Sequence, residues 1–137
     1  MSFPASFFRG SDACLLVMDI TSEESFKSLN SWKMEFISNA DVKDENEFPF
    51  ALLVNKMDED ASRHTVNINA IKQWAESNGN ITVYETSAKT GLNVEKAFIE
   101  IATEVLKTKK SVEIRSEAID INSLTITEEN KSEGGCC

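Results

Sequence analysis

The chain has 137 residues, a hydrophobic fraction of 41% and a formal net charge of -9, enough for one domain with a sizeable core plus a tail. The acidic balance argues against a nucleic-acid partner, since phosphate binding needs a basic surface and no Lys or Arg cluster is larger than Lys107 to Lys110. No stretch approaches the roughly twenty apolar residues of a membrane span, and Met1-Ser2-Phe3-Pro4 lacks the basic start and apolar core of a secretory signal, so a cytosolic chain is expected.

Cys14-Leu15-Leu16-Val17-Met18-Asp19-Ile20 is a first apolar strand, and Cys14 within it reads as a small core residue. Thr21 with Glu24 three residues on forms a capping box, which predicts a helix to about residue 39. Phe26, Leu29, Trp32, Phe36 and Ile37 recur along it at helical spacing, so these aromatics are expected in the core. A charged loop, Ala40 to Glu47, precedes a second strand at Phe50-Ala51-Leu52-Leu53-Val54.

Beyond that strand comes Asn55-Lys56-Met57-Asp58, then the polar segment Glu59 to Thr65 with the single histidine, His64. With no Cys or carboxylate at metal-ligand spacing, His64 reads as a solvated loop residue, and no metal site is expected. A second helix carries Ile68, Ile71, Trp74 and Ala75 on one face, with Gly79 placed to end it. A third strand, Ile81-Thr82-Val83-Tyr84, runs into Glu85-Thr86-Ser87-Ala88-Lys89. A final helix follows, with Val94, Ala97, Phe98, Ile101, Ala102, Val105 and Leu106 in an i, i+3, i+4, i+7 pattern.

Alternation of strand and helix implies an α/β fold with a parallel sheet and flanking helices. The two polar segments, each following a strand, would lie beyond the carboxyl ends of the strands, where open α/β sheets bind ligands. A local reading also exists, in which Asn55 and Asp58 form an Asx turn and Ser87 caps a helix. From Ser111 the pattern fades into an acidic Ser, Thr, Asn and Glu stretch, expected as a flexible tail over 111–137 after a domain over 1–110. Ile119, Ile121, Leu124 and Ile126 within it could dock on a partner or be incidental. Cys136 and Cys137 close the chain; with no neighbouring His or second Cys pair, a redox or metal role is disfavoured.

Several of these segments together resemble the C-terminal two-thirds of a Rab small GTPase of the Ras superfamily: Arg9-Gly10-Ser11-Asp12, the strand with Asp19, Ser25-Phe26, Trp32, Phe48-Pro49-Phe50, N-K-x-D at 55–58, E-T-S-A-K at 85–89 and the terminal Gly134-Gly135-Cys136-Cys137. Trp32 to Ile37 with Ala40 to Lys43 looks most like the late-endosomal branch, nearest the Rab-nine type and next the Rab-seven type. The resemblance implies a partial P-loop NTPase (Ras-like) fold with a three-stranded sheet remnant, and a guanine-reading pair of loops. In it Asp58 accepts from guanine N1-H and the exocyclic amine, Lys56 lays its aliphatic stem along the base, and Asn55 ties neighbouring loops together. The Ala88 backbone N-H donates to O6 from the segment Ser87-Ala88-Lys89.

The same resemblance implies geranylgeranylation of Cys136 and Cys137. Two lipid chains give stable membrane attachment where one is marginal. It further implies a Rab escort protein, a GDP-dissociation inhibitor and effectors as partners, and residence on the cytosolic face of late endosomal or Golgi-type membranes in vesicle transport. The family's cofactors are GTP or GDP with Mg²⁺. Here the sequence departs from the pattern: the glycines are Gly10, Gly79, Gly91, Gly134 and Gly135, none is followed by Lys, and none has an Asp three residues before it. The P-loop, its Mg²⁺ ligands, the D-x-x-G element and the catalytic glutamine therefore have no counterpart, and Met1 to Phe8 matches only the end of the second switch region. The expectation is a truncated chain with no catalytic residues, which binds guanine nucleotide weakly or not at all and does not hydrolyse GTP. Its first strand would lack a neighbour, and the Phe98 and Ile101 stripe would be partly exposed. The competing expectation is a non-enzymatic prenylated interaction protein that competes for Rab escort or effector proteins.

Overall fold

A computed structural model describes residues 4–110. Three strands form one parallel sheet in the order β1 (Cys14–Asp19), β2 (Phe50–Asn55), β3 (Thr82–Glu85). Cys14 lies opposite Phe50 and Asp19 opposite Asn55, while Leu52 is registered with Val83 and Val54 with Glu85. The central strand β2 is buried on both faces, which is why its sequence is a continuous apolar run instead of an alternating one.

Period-two alternation sorts the strand side chains between two cores. On one face Leu16, Met18, Phe50, Leu52 and Val54 pack with Leu29 and Phe36 of α2 (Leu29–Asn39) and with Ile71 and Ala75 of α3 (Ile68–Ser77). On the other, Ala51, Leu53 and Tyr84 pack with Ala97 and Ile101 of a helix, α4, that begins at residue 94. The chain divides into two units, Met1–Thr103 and Glu104–Cys137; of the second, residues 104–110 are described and are helical. The expected tail over 111–137, with Cys136 and Cys137, lies outside the described residues.

The first helical region departs from the expectation in three ways. It is two helices, α1 (Glu23–Lys27) and α2, separated at Ser28. The N-cap is Ser22, whose hydroxyl accepts from the Ser25 N-H at 3.2 Å, and not Thr21. Thr21 is taken up instead by Asp19, whose Oδ1 accepts both its N-H and its hydroxyl. Trp32 is 39% exposed, because the inward face of α2 runs through Leu29, Lys33 and Phe36 and leaves position 32 on the flank. Lys33 takes the buried place: its ammonium donates to the Asn78 carbonyl at the end of α3 (3.1 Å) and lies 5.4 Å from the Phe50 ring centre.

Elsewhere α3 ends as expected, with Gly79 following at φ +99°, a backbone state that a side chain would strain. His64 is half-buried instead of fully solvated, its Nε2 3.0 Å from the Glu59 carbonyl. On α4, Phe98 is 54% exposed as anticipated, but Ile101 is 6% exposed because it seats against Leu53 and Tyr84. Cys14 is half-buried and packs against the first core. Among the described residues β1 has a sheet neighbour on one side only, β2.

Candidate functional site

The carboxyl ends of all three strands bring their polar loops together. Two parallel pairings do this: β1 with β2 sets Asp19 beside Asn55, and β2 with β3 sets the turn after Asn55 beside the segment after Glu85. Backbone bonds then stitch the loops. The Thr86 N-H donates to the Val54 carbonyl at 2.8 Å, and the Met57 N-H donates to the Thr86 carbonyl at 3.0 Å. Lys56 sits between them at φ +69°, a left-handed state uncommon for a side-chain-bearing residue and held here by its bonded neighbours.

Side chains complete the joint. Asn55 Oδ1 accepts from the Ala88 N-H at 3.0 Å and from the Thr86 hydroxyl at 3.4 Å. Asp58 Oδ1 accepts from the Ser87 hydroxyl at 2.6 Å, and Ser87 Oγ in turn accepts from the Thr90 N-H at 3.1 Å. Ser87 is fully buried while Asp58 is exposed, so a rigid hydroxyl orients a carboxylate that faces solvent. The Ser87 hydrogen bond, then a backbone N-H and the charges of Lys89 and Lys56, hold the Asp58 carboxyl below its ordinary value against desolvation. It is therefore an anion with acceptor capacity at neutral pH.

Four of the six residues singled out in these loops, Asn55, Asp58, Ser87 and Ala88, thus meet through hydrogen bonds. Lys89 is exposed and contributes charge near Asp58. Lys56 turns toward β1, with its Nζ 2.8 Å from Asp19 Oδ2. Asp19 was not among the sequence candidates. Its signal is positional: it is the last residue of β1, aligned with the residue preceding Lys56 on β2. Burial pushes the Asp19 carboxyl up, but hydrogen bonds from Lys56 and Thr21 outweigh it and hold the group below its ordinary range, while Asp19 raises the Lys56 amine. Among the described residues no group of three or more His, Cys, Asp or Glu could hold a metal ion.

A parallel sheet with polar loops knotted at its carboxyl end, helices on both faces and an Asn-Lys-x-Asp turn beside a Ser-Ala-Lys turn defines a Ras-like α/β domain. The Ras family signature covers residues 1–107. The chain belongs to the Ras family. It is similar to the Ras-related protein Rab-7a of Paramecium octaurelia, at 40% identity over 140 residues, 99% of this chain and 66% of that protein. To the Ras-related protein Rab7 of Drosophila melanogaster it is 40% identical over 133 residues, 97% of this chain and 62% of that protein. To the Ypt/Rab-type GTPase Rab7 of Neurospora crassa it is 38% identical over 136 residues, covering 99% and 65%. The chain spans just under two thirds of the length of these relatives. Its similarity is thus of the Rab-seven type.

Proposed function

We propose that the loops at 55–58 and 87–89 read a guanine base, and that the chain is a Rab-type small GTPase chain of vesicle traffic at endosomal membranes. The observation that carries the base reading is the exposed, ionised Asp58 carboxylate aimed by a buried Ser87 hydroxyl. A carboxylate accepts two donors at once, and the guanine edge presents two, N1-H and the amine, where adenine does not. Lys56 supplies an aliphatic stem beside the base, and Asn55 holds the two loops in register. The Ala88 N-H, which would meet O6, is already given to Asn55 Oδ1, so a bound base shares that donor or takes it over. Ser87 positions Asp58, and Lys89 adds a positive field beside it.

For the phosphates the fit is poor. The 137 residues contain no Gly-rich loop followed by Lys and Ser or Thr, and no Asp-x-x-Gly element. Without such backbone donors and Mg²⁺ ligands, charge on a β- or γ-phosphate goes uncompensated. The proposal is accordingly weak binding of GDP or GTP by this chain and no hydrolysis. Membrane attachment through geranylgeranyl groups on Cys136 and Cys137, capture by a Rab escort protein and GDP-dissociation inhibitor, and effector binding belong to the same proposal, as does the division into a domain over 1–110 and a tail over 111–137. Among the described residues no helix is long and apolar enough to cross a membrane.

The test is a GDP titration of the full chain with Mg²⁺, followed by mant-nucleotide fluorescence and by the Ala88 amide resonance, beside Asp58→Asn and a xanthine nucleotide. Saturable binding weaker than micromolar, switching to xanthine in the variant, is expected. Binding indifferent to Asp58 would overturn the base assignment; micromolar or tighter GDP affinity, lost in Asp58→Ala, would overturn the weak-binding proposal alone.

A further inference from the structure

Asp19 ends β1 with both carboxylate oxygens committed. Oδ1 accepts from the Thr21 N-H at 2.8 Å and the Thr21 hydroxyl at 2.6 Å, and Oδ2 pairs with Lys56 Nζ at 2.8 Å. Its main chain is fixed as well, the Asp19 N-H donating to Ser25 Oγ at 3.0 Å. Thr21 therefore aims one oxygen, and the other is left pointing across the β1–β2 register at the residue after Asn55. Lys56 occupies a left-handed backbone state, so its side chain leaves the loop in a direction set by that turn and is caught at its far end by Asp19.

We propose that Asp19 is a positioning residue for the base site: anchored at Nζ by Asp19, the Lys56 stem is held as a fixed ledge for the base instead of a free side chain. This rests on the guanine reading above. A lysine stem has four rotatable bonds, and a ligand that packs against it must order it; an anchor at the ammonium end removes part of that cost beforehand. Asp19 acts only through Lys56, so its effect must vanish when Lys56 can no longer be anchored. The pair is partly open to water, which keeps the expected effect modest.

A double-mutant cycle on the full chain tests this, using Asp19→Asn, Lys56→Met and the double variant, with Asp58→Ala as the control for base reading. Lys56→Met keeps an unbranched apolar stem and removes the charge. GDP affinity is expected to fall about twofold to fivefold in Asp19→Asn, and not to fall further when that change is added to Lys56→Met. Thr21→Val, which removes one donor aiming the carboxylate and leaves the ion pair in place, is expected to fall in the same direction by less, and serves if Asp19→Asn folds poorly. Unchanged affinity in both Asp19→Asn and Thr21→Val, with Asp58→Ala still abolishing binding, overturns the proposal and leaves the base reading standing. An equal loss with and without Lys56, accompanied by a lowered melting temperature, also overturns it, because the role is then structural. Wild-type binding indifferent to Asp58→Ala overturns the base reading and this proposal together.

Discussion

Ser87 and Asp58, 29 residues apart in sequence, meet as donor and acceptor at 2.6 Å, with Ser87 buried and Asp58 exposed. This bond fastens the loop after β3 to the loop after β2 in addition to the Met57-to-Thr86 backbone bond. Removing the hydroxyl in Ser87→Ala leaves the Thr90 N-H without its acceptor and Asp58 without its first donor. The expected loss is about 1 kcal/mol of stability.

A pH dependence follows from the same bond. The Asp58 carboxyl is lowered in the folded chain, chiefly by Ser87, so its contribution to stability is present above the unfolded-state value of an aspartate and is lost as pH falls through the lower folded value. Urea melts from neutral to acidic pH are expected to converge, wild type losing more than Ser87→Ala. Parallel pH profiles for the two proteins would show that the hydroxyl does not bias Asp58.

Trp32 and Phe36 share a helix and a hydrophobic periodicity but not an environment. Phe36 is 7% exposed and sits among Phe8, Phe48 and Phe50 with ring centres 5.7, 5.5 and 5.8 Å away, whereas Trp32 is 39% exposed. Phe36→Ala is expected to cost about 3 to 5 kcal/mol, and Trp32→Ala less than about 1.5 kcal/mol despite the larger side chain. Denaturant midpoints of the two variants decide it, and equal costs would place Trp32 in the core.

This pair also shows what could be read ahead of the structure. The strands were legible because each apolar run is bounded by polar turns, and the meeting of Asn55 and Asp58 with Ser87 and Ala88 followed from adjacent strand ends of a parallel sheet. Helical spacing alone does not fix the angular centre of a face, so the spacing predicts Trp32 inward, whereas the buried place falls one position on, to Lys33. The cap differs from the expectation for another reason: Thr21 and Ser22 are both competent N-caps, and the choice is made by Asp19, which takes Thr21 for itself. Nor could the Asp19 to Lys56 pair be found without the β1–β2 register.

Lys33 carries a charge into the cleft between α2 and α3 and has three partners there: the Asn78 carbonyl at 3.1 Å, Glu45 at 3.9 Å and the Phe50 ring. A cation donating to a carbonyl at a helix C-terminus answers both the unpaired acceptor and the negative end of the helix dipole. Lys33→Met keeps the packed stem and removes the ammonium. About 1 to 2 kcal/mol of destabilisation is expected, together with faster amide exchange in the last turn of α3. Unchanged exchange at residues 75–79 would assign the stem, and not the charge, the stabilising role.

Cys14 opens β1 as a half-buried thiol, and desolvation pushes its pKa from an ordinary 9.0 to about 11. The thiolate is the reactive form, so at neutral pH iodoacetamide is expected to label Cys14 in the folded chain about a hundredfold more slowly than in urea. Because the folded value is raised above the unfolded one, the neutral thiol favours folding. That contribution is fully present below pH 9.0 and is lost as pH rises toward about 11. Cys14→Ala removes the titrating group, at a packing cost that is constant with pH. Its stability profile between pH 8 and 11 should therefore be flatter than that of the wild type in alkaline urea melts. Peptide mapping of the labelled chain isolates Cys14 from Cys136 and Cys137, and fast labelling of Cys14 in the native protein at pH 7 would mean that the first strand opens to solvent far more readily than its pairing with β2 implies.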